Sequence, residues 1–227
     1  MSLTREDLEH DRLRERIRRN FPDYPLLADD VFDASRQAIV DEIDGEDIWI
    51  FGYGSLIWNP CIDFDRREPT TLTGLTRRYC LWDKSGRGSA DAPGFYLALA
   101  PGERCDGVAF HVPADKVEWE LTCVWRREMI SGSYRAAVLP ATTADGQAIR
   151  CVVFLANPQH ERYCCEVLPQ KLVECIAVAE GTIGTSREYL YSTVAGLAKV
   201  GLEDPELTAL EQAVRQYRAV RGLPDDH

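Results

Sequence analysis

An α+β fold is what this 227-residue sequence predicts, on three observations. Strand-like runs crowd the middle of the chain, whereas helical periodicity is confined to one internal segment and the last third. The two kinds do not alternate as regular βαβ units. No GxGxxG or Walker sequence marks a doubly wound nucleotide-binding sheet. A domain of this length buries most of its apolar surface without a staple, and no internal repeat or low-complexity linker divides it. Residues 1–46 read as an N-terminal helical extension and 47–227 as the functional domain.

Each element has its own signal. In the extension, Thr4 and Asp7 are spaced as a capping box opening a short helix rich in Arg and Glu. The segment reads either as a piece lying on the domain or as a solvated arm. At Ile48 a β-branched and aromatic run begins, Ile48-Trp49-Ile50-Phe51, and ends in the punctuated Gly52-Tyr53-Gly54-Ser55, a buried strand entering a tight loop. Further strands are expected at Thr71–Trp82, Phe95–Ala100, Gly107–Val112, Tyr134–Thr142 and Ile149–Ala156, most of them bounded by Gly, Pro or Asp. Helices are expected at Ala114–Arg127, Leu172–Glu180, Arg187–Lys199 and Pro205–Arg221.

With 26 Lys and Arg against 37 Asp and Glu, the net charge of -11 excludes broad attraction to nucleic acid or anionic lipid. An acidic small-molecule substrate would need a local basic or N–H-rich pocket. Charge interrupts Met1 to Asn20 before a signal-peptide core forms. The longest apolar run, Ile48 to Trp58, is far short of the roughly 20 residues that span a bilayer. A cytoplasmic protein is expected, with no membrane partner and as a monomer or weak homodimer. The eight cysteines contain no pair with a two-residue gap, so they read as reduced, mostly buried side chains. His160, Cys164 and Cys165 form the one cluster worth weighing for a metal; adjacent cysteines chelate one ion awkwardly, and no metal is expected.

Three features bear on chemistry. Glycines flank Tyr53 directly after a strand, a geometry that can bring backbone N–H groups to a carboxylate or oxyanion, or that merely turns a corner. On the predicted helix, Val117, Leu121 and Val124 make an apolar stripe, and four residues on comes Glu128, at nearly the same angle for about 100° per residue. A carboxylate there is desolvated, its pKa rises, and it becomes a candidate general base or acid. The alternative is a carboxylate neutralised by Arg126, Arg127 or Arg135, or exposed at the helix end. Arg77-Arg78-Tyr79 and Arg87-Gly88 offer guanidinium groups that grip carboxylates in pairs of hydrogen bonds, though surface arginines are commoner. Tyr189 by itself reads as a core aromatic.

Together these pieces resemble the ChaC family of glutathione-specific γ-glutamylcyclotransferases from about Ile48 to about Leu197. The carrying residues are FGYGSLIW at 51–58, TRRYCLW at 76–82, GVAF at 107–110, WRREM at 125–129 with GSYR at 132–135, and REYL at 187–190. The resemblance implies a compact mixed β-barrel with flanking helices, the γ-glutamyl cyclotransferase-like or BtrG-like fold. It implies cleavage of glutathione to 5-oxoproline and cysteinylglycine, without cofactor or metal. Glu128 matches the catalytic glutamate, and Gly52, Tyr53, Gly54, Ser55, Leu56 and Ile57 match the substrate loop. Tyr189 matches a tyrosine at the pocket edge, and Arg78 a substrate-binding arginine for which Arg77 is the alternative. Asn157-Pro158-Gln159-His160 followed by Cys164-Cys165 departs from the family pattern, which bears on substrate range. Other γ-glutamyl amines or dipeptides, or a non-catalytic role as a glutathione-binding regulator of cation transport, are the rival readings.

Overall fold

The computed structural model describes residues 3–224. Three helices come first, α1 (Arg5–Glu9), α2 (Arg12–Asn20) and α3 (Asp29–Ile43). After them run β1 (Ile48–Gly52), the single turn α4 (Ser55–Trp58), the long strands β2 (Arg66–Asp83) and β3 (Gly94–Val112), and α5 (Ala114–Glu128). A hairpin of β4 (Tyr134–Thr143) and β5 (Ala148–Ala156) leads to α6 (Pro169–Val178) and the two-residue strands β6 (Glu180–Gly181) and β7 (Gly184–Thr185). Helices α7 (Ser186–Lys199) and α8 (Pro205–Val220) follow.

The chain adopts the expected α+β class, with a closed barrel in the order β1-β3-β2-β4-β5 and helices around it. Strand β1 closes it, lying antiparallel to β3 and parallel to β5, where Trp49 pairs with Cys151 and Ile50 with Val152. Phe95–Ala100 and Gly107–Val112, expected as two strands, are the two halves of β3. The ladder between β2 and β3 slips from Thr73 opposite Arg104 to Leu75 opposite Pro101, with Gly74 at φ 77°. Such a bulge bends a strand without ending it, so strands of 18 and 19 residues can wrap a small barrel.

Ile50, Phe51, Phe110, Val152 and Phe154 are buried in the core, and Trp125 of α5 meets Phe154 edge-on at 5.4 Å. Helix α5 turns Val117, Leu121 and Val124 to that core and ends on Glu128, one residue past the predicted end. Pro113 is its N-cap, outside the first turn.

The N-terminal helices are packed onto the barrel domain. Thr4 and Asp7 form the expected capping box, and Leu8, Phe32, Ile39 and Ile43 are buried. Arg5 pairs through both Nη atoms with the buried Glu120, Nη2 to Oε1 at 2.6 Å. Arg126 donates to Leu8 O at 2.9 Å and Glu9 O at 2.7 Å, and Trp125 Nε1 to Ser35 Oγ at 2.9 Å. Helix α3 has Ala28 at its N-cap, a residue with no side-chain cap, so its N-terminus carries no capping signal.

Candidate active site

Strand β1 delivers the chain to the Gly-Tyr-Gly corner, and each glycine answers a different packing demand. A β-carbon on Gly52 would lie 3.0 Å from the Phe110 ring and 3.1 Å from Leu56 Cβ, so this glycine lets the core close under the loop. A β-carbon on Gly54 would lie 2.8 Å from the Tyr189 hydroxyl, so this one lets the loop touch α7. Between them Tyr53 turns inward and donates its hydroxyl to Phe154 O at 2.8 Å. The one turn of α4 is set by Ile57 N–H, which donates to Gly54 O at 2.9 Å.

The loop residues Tyr53 to Leu56 wall a recess together with Tyr134, Tyr189 and Glu128. The recess opens, past Ser55, Glu128, Tyr134 and Tyr189, into a cleft of about 200 Å³. Arg16, Arg87, Arg127 and Arg162 line that cleft. This acidic protein therefore gathers four arginines in one cleft, each held against a carboxylate: Asp7, Glu188, Glu128 and Asp83 respectively.

Glu128 stands where recess and cleft meet. Its side chain keeps 13% exposure, and Oε1 pairs with Arg127 Nε at 2.9 Å. Burial raises its pKa above the ordinary carboxylate range; the charge and hydrogen bond of Arg127 work against that rise without cancelling it. Both sequence expectations thus meet in one residue, which lies on the apolar face and is also paired. Of the three arginines weighed as partners, Arg126 turns to the N-terminal helices and Arg135 is exposed. Arg127 also donates from Nη2 to Ser55 Oγ at 2.8 Å and from Nη1 to Asn59 O and Pro60 O, so one guanidinium braces the end of α5 against α4.

The aromatic side of the recess is a set of buried phenols. Tyr134 donates to Leu97 O at 2.8 Å. Tyr189 meets Trp58, Tyr79 and Tyr96 edge-on, at 6.4, 6.3 and 5.5 Å. Burial, with the nearby Glu128 charge adding to it, pushes the phenols of Tyr53, Tyr134 and Tyr189 up, so they stay protonated around neutrality.

The predicted residues Tyr53, Gly54, Ser55, Leu56, Glu128 and Tyr189 come together, while Gly52 and Ile57 lie behind the loop and line neither cavity. Arg78 lines neither cavity either: it is exposed on β2, because strand alternation turns its neighbour Arg77 inward. Arg77 donates from Nη1 to Tyr53 O at 2.7 Å and pairs through Nε with Asp204 at 2.8 Å, so it supports the loop from behind. Arg87, a candidate carboxylate-gripping arginine in the sequence, lines the cleft and stacks its guanidinium 5.6 Å from the Tyr189 ring centre. Arg162 and the residues from the N-terminal helices are not among the expected site residues, and Tyr134 enters only within the GSYR motif; a single sequence carries no signal for contacts between segments as far apart as Tyr24 and Arg162.

Among the described residues no group of three or more His, Cys, Asp or Glu is placed to hold a metal. His160 Nε2 lies 3.0 Å from Ser131 O, and Cys165 is exposed. Burial pushes the thiols of Cys80, Cys105 and Cys123 up to about 11 and Cys151 to about 12. None of the eight cysteines lines the recess or the cleft, so no thiolate nucleophile is at hand.

The chain is similar to known proteins in sequence and in fold. The family described as ChaC-like protein matches residues 48–217. The glutathione-specific γ-glutamylcyclotransferase of Escherichia coli K12 is 40% identical over 178 residues, 78% of this chain and 77% of its own. Glutathione-specific γ-glutamylcyclotransferase 1 of Danio rerio is 30% identical over 174 residues, 74% of this chain and 88% of its own. A crystal structure of a yeast γ-glutamyl cyclotransferase specific to glutathione superimposes with a TM-score of 0.70 at 20% identity, covering 76% of this chain and 97% of that one.

Proposed function

The chain belongs to the family of ChaC-like proteins, and from that premise we propose that it is an enzyme of glutathione degradation, a γ-glutamylcyclotransferase releasing 5-oxoproline and cysteinylglycine. The observation that carries this reading is Glu128: a carboxylate of raised pKa at the junction of a narrow recess and an arginine-lined cleft, beside the glycine loop. The γ-glutamyl half of the substrate occupies the recess.

The chemistry needs no water, cofactor or enzyme nucleophile. The substrate's own α-amine attacks its γ-carbonyl; a C–N bond forms to close the five-membered lactam, and the C–N bond to cysteine breaks. Glu128 takes a proton from the α-ammonium, freeing the lone pair, and a proton is returned to the departing nitrogen. Arg127 holds enough of the carboxylate ionised for the first step. The walls of the recess fold the flexible γ-glutamyl chain so that amine and carbonyl meet, an orientation task. Backbone N–H groups of the Tyr53 to Leu56 loop stabilise the oxyanion or anchor the α-carboxylate, where loss of one donor costs about 2.7–4 kcal/mol of barrier. Gly52 and Ile57 shape that loop from behind. We place the reaction in the cytoplasm, in a monomer or weak homodimer without nucleic-acid partners, with residues 47–227 as the catalytic domain.

Incubation of the protein with glutathione, followed by mass spectrometry, is expected to show 5-oxoproline and cysteinylglycine in equal amounts. Glutathione bound and left intact would identify a binding protein instead, and turnover of γ-glutamyl-alanine alone would identify another γ-glutamyl substrate. Gly54→Ala, which sets a methyl against the Tyr189 hydroxyl, is expected to lower kcat/KM about 10²-fold, the scale set by a displacement of about 1 Å in a catalytic site. Steady-state kinetics beside a thermal melt separates this from unfolding.

A further inference from the structure

We infer that the N-terminal helices supply the subsite for the half of the substrate that leaves, a thiol-bearing dipeptide ending in a free carboxylate. The inference rests on the reaction proposed above. Leu13, Arg16 and Ile17 of α2, with Phe21 and Tyr24 just beyond it, line one side of the cleft, and all of them lie outside the 170-residue stretch that matches the family, residues 48–217.

This wall is fixed next to the reacting carboxylate. Leu27 N–H donates to Ile130 O at 2.8 Å, two residues past Glu128. The buried Arg14 donates to Leu27 O at 2.9 Å and to Asp29 Oδ1 at 2.7 Å. The Tyr24 hydroxyl takes a hydrogen bond from Arg162 Nη1, while Arg162 Nη2 pairs with Asp83 at 2.7 Å. The chain from α2 to Leu27 therefore runs past the end of α5. A substrate whose γ-glutamyl group sits in the recess has its scissile carbonyl at Glu128 and its remainder in the cleft, against this wall. The recess is the narrower of the two spaces and the cleft, of about 200 Å³, the wider, so the longer remainder of the substrate extends into the cleft.

The wall also has the matching chemistry. Ile17 and Phe21 are half-buried apolar side chains in an otherwise charged stretch and suit a cysteinyl methylene and thiol. Arg16 faces the cleft with 29% of its side chain exposed; its bond to Asp7, 3.1 Å from Nη2, uses one of the five donors a guanidinium carries. The remaining donors suit a terminal carboxylate. Arg127 and Arg162, by contrast, are spent on several protein acceptors each.

The test uses the full-length chain with Arg16→Gln and Phe21→Ala, each checked by thermal melt. Steady-state kinetics on glutathione is read together with inhibition by each product. Arg16→Gln is expected to raise KM at least tenfold with kcat retained, the signature of lost uniform binding. It should weaken inhibition by cysteinylglycine to the same extent and leave inhibition by 5-oxoproline unchanged. Arg16→Lys should recover part of the loss. Phe21→Ala should raise KM in the same pattern. If folded Arg16→Gln and Phe21→Ala both keep the wild-type KM and cysteinylglycine inhibition, the inference is overturned while the reaction stands. A wild-type protein that leaves glutathione intact removes both.

Discussion

Glu128→Gln is expected to bind glutathione and leave it whole. The substitution keeps the side chain's shape and one hydrogen-bonding oxygen for Arg127 while removing the one carboxylate among the described residues that line the recess. A loss of about 10²–10⁴-fold in turnover is the scale for a positioned general base, with glutathione binding, read by calorimetry, close to that of the wild type. Robust turnover by a folded Glu128→Gln protein would remove the residue from the mechanism. The pH profile offers an independent check. The base must be ionised to act, and burial raises its pKa, so kcat/KM falls as pH drops through that raised value, at higher pH than for an ordinary carboxylate. Arg127 lowers the same pKa; Arg127→Met should therefore move the acid limb to higher pH, in addition to loosening Ser55.

Arg77→Ala is expected to destabilise the protein by about 3–5 kcal/mol, the scale for breaking a buried ion pair on one side. Its guanidinium joins Tyr53 O, Asp106 O and the Asp204 carboxylate, and Asp204 caps α8 by accepting from Leu207 N–H at 3.0 Å. One deletion thus leaves the catalytic loop's carbonyl unpartnered and slackens a helix start. Arg78→Ala, one residue away on the exposed face, is expected within about ±0.5 kcal/mol of the wild type and with its activity intact. Urea melts and glutathione turnover of the two variants test the assignment: equal stability, or a loss of turnover confined to Arg78→Ala, would reverse the roles of the two arginines.

The alternative between Arg77 and Arg78 shows where a sequence runs out. Two adjacent residues on a strand face opposite ways, but which one faces inward depends on register, and the β2–β3 register includes slips at Thr73/Leu75 and at Tyr79/Leu81. Local patterns were sufficient wherever the physics is local. The three- and four-residue spacing of Val117, Leu121 and Val124 carried through to Glu128, the capping box at Thr4 and Asp7 formed, and the Gly-Tyr-Gly corner followed its strand. Periodicity misplaced a strand boundary at Pro101-Gly102, because a bulge and a turn use the same residues. By itself, then, the sequence determined the α+β class, the helix that carries Glu128 on its buried face, and the family. Tertiary structure alone decided that Arg127 binds Glu128 and Ser55 at once, that Tyr134 closes the recess beside Tyr189, and that α2 walls the cleft. Those contacts join residues as far apart as Tyr24 and Arg162, and only closing the barrel and docking the N-terminal helices against α5 brings them together.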